Sequence, residues 1–176
     1  MAAIDLVVLG MLKREPLSAY DIQKLIEYRK ISEWVKISTP SIYKKVIQLA
    51  DKGLINSKTV KGENLADKVV YSLTEAGENA FRNLMEQISE SPIHFFLDFN
   101  AVMVNIDSLP KEEQKNCLDK IEKNILIMKM QMEDNMEAKK SDKSIPRSAF
   151  AVLQQQYMLV QSMEEWIASV RIPAVD

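Results

Sequence analysis

The sequence predicts a mainly α-helical protein with one small β-hairpin. Three observations carry this reading. Apolar residues recur at steps of three and four, as at Ile42, Val46 and Leu49 or at Leu118, Ile121 and Ile125, whereas strand-like alternation is confined to residues 54–73. Helix-start residues (Ser18, Thr39-Pro40, Thr74) and the stop residue Gly53 stand at the ends of the periodic stretches. At Ser91-Pro92 the pattern is interrupted, and longer helical runs follow.

Taken in order, residues 4–13 are apolar on most sides and read as a buried helix that Pro16 ends. Ser18, with Asp21 three residues on, opens a second helix reaching about Tyr28, with Ile22, Leu25 and Ile26 inward. Residues 29–38 connect it to the third helix, and Trp34 and Val35 are expected to pin this connection to the core. Thr39 is an N-cap and Pro40 suits the first helical position, because its missing N–H would be unpaired there anyway. Gly53 ends the third helix, at a position that commonly needs positive φ.

Residues 54–60 and 68–73 read as two strands, with Val69, Tyr71 and Leu73 on one face and a polar loop at 61–67 between them. Three helices followed by a hairpin is the order of a winged helix-turn-helix. Thr74 then caps a fourth helix carrying Ala80, Phe81, Leu84, Met85 and Ile88. Beyond Pro92, residues 93–106 are expected to form an apolar helix. A long helix over about 111–139 follows, with a heptad-like seam of Leu118, Ile121, Ile125, Met128, Met132 and Met136. The last helix, 147–170, offers Phe150, Leu153, Tyr157, Val160 and Ile167, and the short connection predicts an antiparallel pair. The domains expected are 1–90, a winged helix, and 91–176, a helical dimerisation domain.

Composition narrows the function. With a single cysteine, Cys117, neither an intramolecular disulfide nor a cysteine metal cage can form. His94 is the only histidine, and four glycines leave little material for a phosphate-cradling loop, so no catalytic constellation, metal site or cofactor is expected. The apolar runs are too short for a membrane span, and no transit or signal segment precedes the first helix, which reads as a cytoplasmic protein. Residues 1–77 hold 12 Lys+Arg against 9 Asp+Glu, and the remainder 11 against 16. A basic first part beside an acidic second part fits a polyanion-binding head joined to an interaction module.

The third helix is the sharpest feature. Ile42, Val46 and Leu49 make its buried stripe, while Ser41, Lys44, Lys45 and Gln48 are expected to point outward. Two cations, an amide and a hydroxyl suit a nucleic-acid groove, although the same stripe could be an ordinary solvated face. Tyr43 is open between the outward face and a packed stripe with Val46, Ile47 and Ala50. Tyr71 reads as core. Eight of the ten methionines lie after Gly77. Helix packing is the simpler account of them, and a pocket for a small hydrophobic effector is the alternative. Trp166 and Phe150 suit either an interface or packing within the chain.

Residues 17–22 (Leu-Ser-Ala-Tyr-Asp-Ile), Ser41-Ile42-Tyr43, Leu49 with Gly53-Leu54-Ile55, and Lys68-Val69-Val70-Tyr71-Ser72-Leu73-Thr74-Glu75-Ala76-Gly77 together resemble the PadR family of transcriptional regulators. The second half, opening on Phe95-Phe96-Leu97-Asp98-Phe99, resembles the larger subfamily with a virulence-activator-like, AphA-like helical domain. This resemblance implies a homodimeric DNA-binding regulator, a repressor on a near-palindromic operator. It implies that Tyr20 and Lys24 hold the DNA backbone and that Ser41, Tyr43, Lys44 and Lys45 enter the major groove, beside Gln48. Lys36, Ser38 and Thr39 lie on the approach to that helix, and Lys61 and Lys68 flank the wing. The chain departs from the family at Ala19, where glycine is frequent, at Thr39-Pro40, and at Glu63 and Asp67, where many members carry Arg or Lys. Two rival readings remain: a winged-helix protein-interaction module without DNA binding, and a small-molecule sensor using the Met-rich helices.

Overall fold

In the computed structural model, residues 2–35, 37, 41–61, 67–140 and 145–171 are described, and they fall into two compact units, Met1–Ile93 and His94–Asp176. In the first, α1 (Ala2–Leu12), α2 (Ala19–Tyr28) and α3 (Ser41–Asp51) precede a two-stranded antiparallel hairpin, β1 (Ile55–Lys61) and β2 (Asp67–Leu73), and then α4 (Glu75–Glu90). A single 3-10 turn, Ile31–Glu33, follows α2.

The local chemistry of the helix ends is as the residue types dictate. The Ser18 hydroxyl accepts from the Asp21 N–H, and the Asp21 carboxylate accepts from the Ser18 N–H at 3.0 Å, a complete capping box. Gly53, at φ +69, closes α3: its N–H donates to Ala50 O at 2.8 Å and the Leu54 N–H donates to Leu49 O at 3.0 Å, the paired bonds of a Schellman end. Thr74 Oγ1 accepts from the Gly77 N–H at 3.0 Å and donates back to the carbonyls of Gly53 and Leu54, so one hydroxyl joins the end of α3 to the start of α4. The caps expected at Thr39 and Pro40 lie outside the described residues.

The core of this unit is closed. Val8 and Leu9 of α1, Ile22 and Ile26 of α2, and Ile42, Val46 and Leu49 of α3 are almost wholly buried together with Ile55. Trp34, Val35, Tyr71, Leu73 and Phe81 pack against them. Leu17 adds two backbone hydrogen bonds to Tyr71, so the hairpin is anchored by a short third strand-like contact. Val69 faces solvent instead of following Tyr71 and Leu73 inward, because the twisted hairpin extends past the helices that cover its base.

The second unit is built on α6 (Lys111–Lys140) and α7 (Arg147–Arg171). Arg171 pairs with Asp119 and Glu122, Lys129 with Glu164, and Tyr157 with Glu133, so the partners run in opposite directions and the helices are antiparallel. Ile121 and Ile125 meet Val160 and Ile167 in the seam, with Leu153 also buried, but Met128 is turned half outward. The apolar helix expected at 93–106 is reduced to α5 (Asn100–Met103) and a 3-10 turn, Ile106–Ser108. Residues 92–97 carry no regular structure, and Ile93 and Phe96 are 96% and 84% exposed. Apolar character without a face to bury does not sustain a short helix.

Candidate nucleic-acid interface

The solvent face of α3 is rotated from the one expected. Tyr43 is 46% exposed, Ile47 56%, and Lys44 is exposed beside them, while Gln48 is half-buried. Lys45, expected to enter the groove, is only 7% exposed. Its Nζ lies 2.7 Å from the buried Oδ1 of Asp5, in the first turn of α1. The reason is angular: in an α-helix Lys45 stands about 40° from Leu49 and about 60° from Ile42, at the edge of the buried stripe. A long side chain there lays its stem along the core, and the charge is held by the carboxylate it meets. Tyr43, open between core and surface in the sequence, is on the surface. Ser41 begins α3, and its side chain lies outside the described residues, as do Lys36, Ser38 and Thr39.

On α2, Tyr20 and Lys24 stand one turn apart and are exposed. Lys24 Nζ lies 5.5 Å from the centroid of the Tyr20 ring, a cation–π contact, and 3.4 Å from Glu27. A hydrogen bond from Gln23, helped by Lys24, holds the Glu27 carboxyl below its ordinary range. Lys68 of β2 reaches Asp21 Oδ2 at 2.7 Å and stays partly exposed. Partial burial works to raise the Asp21 carboxyl, but the Lys68 and Ser18 hydrogen bonds outweigh it, so the group is net lowered. Lys61 ends β1 facing solvent and pairs in register with Asp67, while Glu63 lies outside the described residues.

The structure therefore brings Tyr43, Lys44 and Gln48 together on α3, joins Tyr20 to Lys24, and ties Lys68 to the start of α2. It withdraws Lys45. Two partners were not legible in the sequence, Asp5 for Lys45 and Asp21 for Lys68, since neither separation leaves a local signal. Of the alternative stripe of Tyr43, Val46, Ile47 and Ala50, Ile47 stands one turn beyond Tyr43 on the outer face. Among the described residues no group of His, Cys, Asp or Glu is arranged to hold a metal ion, and no helix is long and apolar enough to cross a membrane.

The second unit holds an open apolar pocket of about 260 Å³ lined by Phe95, Leu97, Phe99, Leu159, Met163 and Trp166, together with Asn100 and Ser162. Phe99 and Trp166 stack on one wall, centroids 5.4 Å apart. Of the methionines in this unit Met163 lines the cavity, while Met130 and Met158 are exposed on the helix surfaces.

Residues 8–83 match the sequence profile described as the transcriptional regulator PadR-like family. Among solved structures, Bacillus subtilis PadR in complex with operator DNA superposes with a TM-score of 0.80 at 21% identity, covering 97% of each chain. The same Bacillus subtilis protein in complex with p-coumaric acid gives 0.76 at 20% identity, over 95% of this chain and 92% of that one. The Vibrio cholerae virulence activator AphA gives 0.71 at 18% identity, over 95% of each. At these identities the likeness is one of fold, and it extends through both units. No curated protein matches the sequence. The winged-helix head thus carries the profile of the PadR-like family of transcriptional regulators over residues 8–83, and the whole chain shares the fold of PadR and AphA.

Proposed function

We propose that this chain acts as a homodimeric transcriptional repressor, with residues 1–90 reading a near-palindromic operator and residues 91–176 holding two copies together. The observation that carries the reading is the outer face of α3, where Tyr43, Lys44 and the half-exposed Gln48 stand on a helix locked at its C-terminal end by Gly53 and Thr74. Lys supplies phosphate or guanine contact and Gln can bond adenine edges. Lys24 and Lys61 are suited to backbone phosphates on either side, and Lys68 joins them if a phosphate replaces its contact with Asp21. The operator complex of Bacillus subtilis PadR supports this use of the shared fold. Two-fold symmetry calls for half-sites on one face of the duplex, about one turn or a multiple apart. Occupancy there would exclude the transcription machinery, in the cytoplasm.

An apolar effector fits the second unit. The cavity beside Phe99 and Trp166 is lined almost wholly by carbon, and p-coumaric acid is bound by the Bacillus subtilis relative. Thermal shift with small aromatic acids tests this part.

The test of DNA reading is selection of duplexes from a random pool by the full chain, followed by titration in rising salt. Lys44→Ala should weaken binding and lower the slope of log K against log salt by about 0.9, one phosphate's share. A second reading, a protein-interaction module, is favoured by one fact: Lys24, Lys45 and Lys68 already face carboxylates. It predicts that the pool yields no preferred duplex at physiological salt.

A further inference from the structure

We infer that Ile47 is a sequence-reading residue, contacting the C5-methyl group of a thymine in the major groove. The inference rests on the DNA-binding reading above and goes beyond it, to the identity of a base. Ile47 is 56% exposed and is not among the apolar residues packed on the core of its unit. Burial of Lys45 turns the outer face toward Ile47, which lies about 40° from Tyr43 and about 60° from Lys44 around α3, between the two. Ile47, a branched hydrocarbon without donor or acceptor, therefore projects from this outer face beside Lys44.

In the major groove only thymine among the four bases offers an apolar group, its methyl, and apolar side chains contact it there. A guanine or adenine edge placed against Ile47 would lose its water without gaining a hydrogen bond, which is unfavourable. Lys44, one turn earlier, can at the same time reach a phosphate or a guanine. Asp51 stands in the final turn of the helix, so the first two turns are the part suited to the groove. Ile47 thus selects by fit on one side and by exclusion on the other.

The experiment uses the full chain and the tightest duplex recovered from a random pool. Each thymine is replaced in turn by deoxyuridine, which pairs identically and lacks only the methyl. For the wild-type protein, one replacement per half-site should weaken binding about fourfold, the worth of one buried methyl group. Ile47→Ala should bind the unmodified duplex more weakly by a similar factor and show no response to that same replacement. Because Ile47 is exposed, the variant keeps the fold, and a lost response in it assigns the methyl contact to Ile47. The inference is overturned if no deoxyuridine weakens wild-type binding, or if Ile47→Ala responds to every replacement as the wild type does. Failure to recover any preferred duplex would instead defeat the DNA-binding reading, and the inference with it.

Discussion

The two units differ in how completely each encloses its own apolar side chains. In the first, three helices, a hairpin and α4 surround Val8, Leu9, Ile22, Ile26, Ile42 and Val46, each with no measurable exposure. In the second, two long helices meet along one seam, and Leu126, Ile127 and Met130 of α6 and Met158 of α7 are left in solvent, with Phe95 and Phe96 ahead of them. A helix pair has only one shared face, so residues on the others need another partner or remain wet. An apolar surface of this kind on a folded chain marks an association site. The proposed dimer would cover these faces of the second unit, whereas the core of the head is closed without one.

The sharpest way to break this contrast is to open the closed unit from within. Lys45→Ala should destabilise the head by about 3–5 kcal/mol, because it leaves the Asp5 carboxylate buried without its cation. Lys44→Ala, one residue away and exposed, should stay within about 0.5 kcal/mol of wild type. Chemical denaturation followed by circular dichroism separates them, and similar losses in the two variants would contradict the burial of Lys45. A Lys45→Met, Asp5→Leu double variant should recover most of the loss, since well-packed apolar pairs replace buried ion pairs at little cost.

Gly77→Ala tests the joint between α3 and α4. A methyl group there would lie 2.0 Å from the carbonyl oxygen of Leu54 and 2.8 Å from Leu73 Cδ1. Backbone has to move to admit it, and a loss of about 3 kcal/mol or slightly less is expected. An unchanged melting temperature would show that the Thr74 bridge is not close-packed.

The contrast itself is tested by dilution. Each unit carries one tryptophan, Trp34 in the head and Trp166 in the second unit, so Trp34→Phe and Trp166→Phe variants isolate their signals. Unfolding reported by Trp166 should strengthen by about 1.4 kcal/mol for each tenfold rise in protein concentration, as mass action requires of an obligate dimer. That reported by Trp34 should be indifferent to concentration. Concentration-independent melting of both would remove the argument for a completing partner.

What was legible in the sequence follows the same division. The head is marked by short-range chemistry: the Ser18–Asp21 box, Gly53, and the Thr74 cap each act within three to five residues, and each occurs where its residue types place it. The register of α3 was legible only in part. Ile42, Val46 and Leu49 fix the buried side, but whether Lys45 lies just inside or outside its edge depends on Asp5, forty residues earlier. The aromatic run at 95–99 misled for the opposite reason. Composition there promised a helix, and helix formation needs a face to bury, which the chain by itself does not supply. Of the expected DNA contacts, Lys44, read from periodicity, and Tyr43, implied by the family resemblance and left open by periodicity, both lie on the surface. Nothing in the spacing assigns Ile47 to the outer face, because apolar character at helical spacing argues for core unless the true outer face is known.

The smallest effect expected separates the units by pH. In the head, Asp21 is held below its ordinary value of 3.8, where burial is outweighed by Lys68 and Ser18. A lowered carboxyl contributes stability that is complete above the unfolded value and fades as pH falls through the folded one. In the second unit Lys129 is raised above 10.5 by its hydrogen bond to Glu164, and Tyr157 is raised above 10.0 by donating to Glu133. Both favour the protonated form in the folded chain, so their contribution is complete below those values and fades as pH rises past them. The Trp34 signal should accordingly weaken first in acid and the Trp166 signal first in alkali. Asp21→Asn, which keeps an oxygen for the Ser18 cap, should narrow its stability gap to wild type as pH drops below 3.8. Glu133→Gln should likewise narrow its gap above pH 10.0. Gaps that stay constant across those ranges would mean that neither pair is linked to folding, and that the two units differ in packing alone.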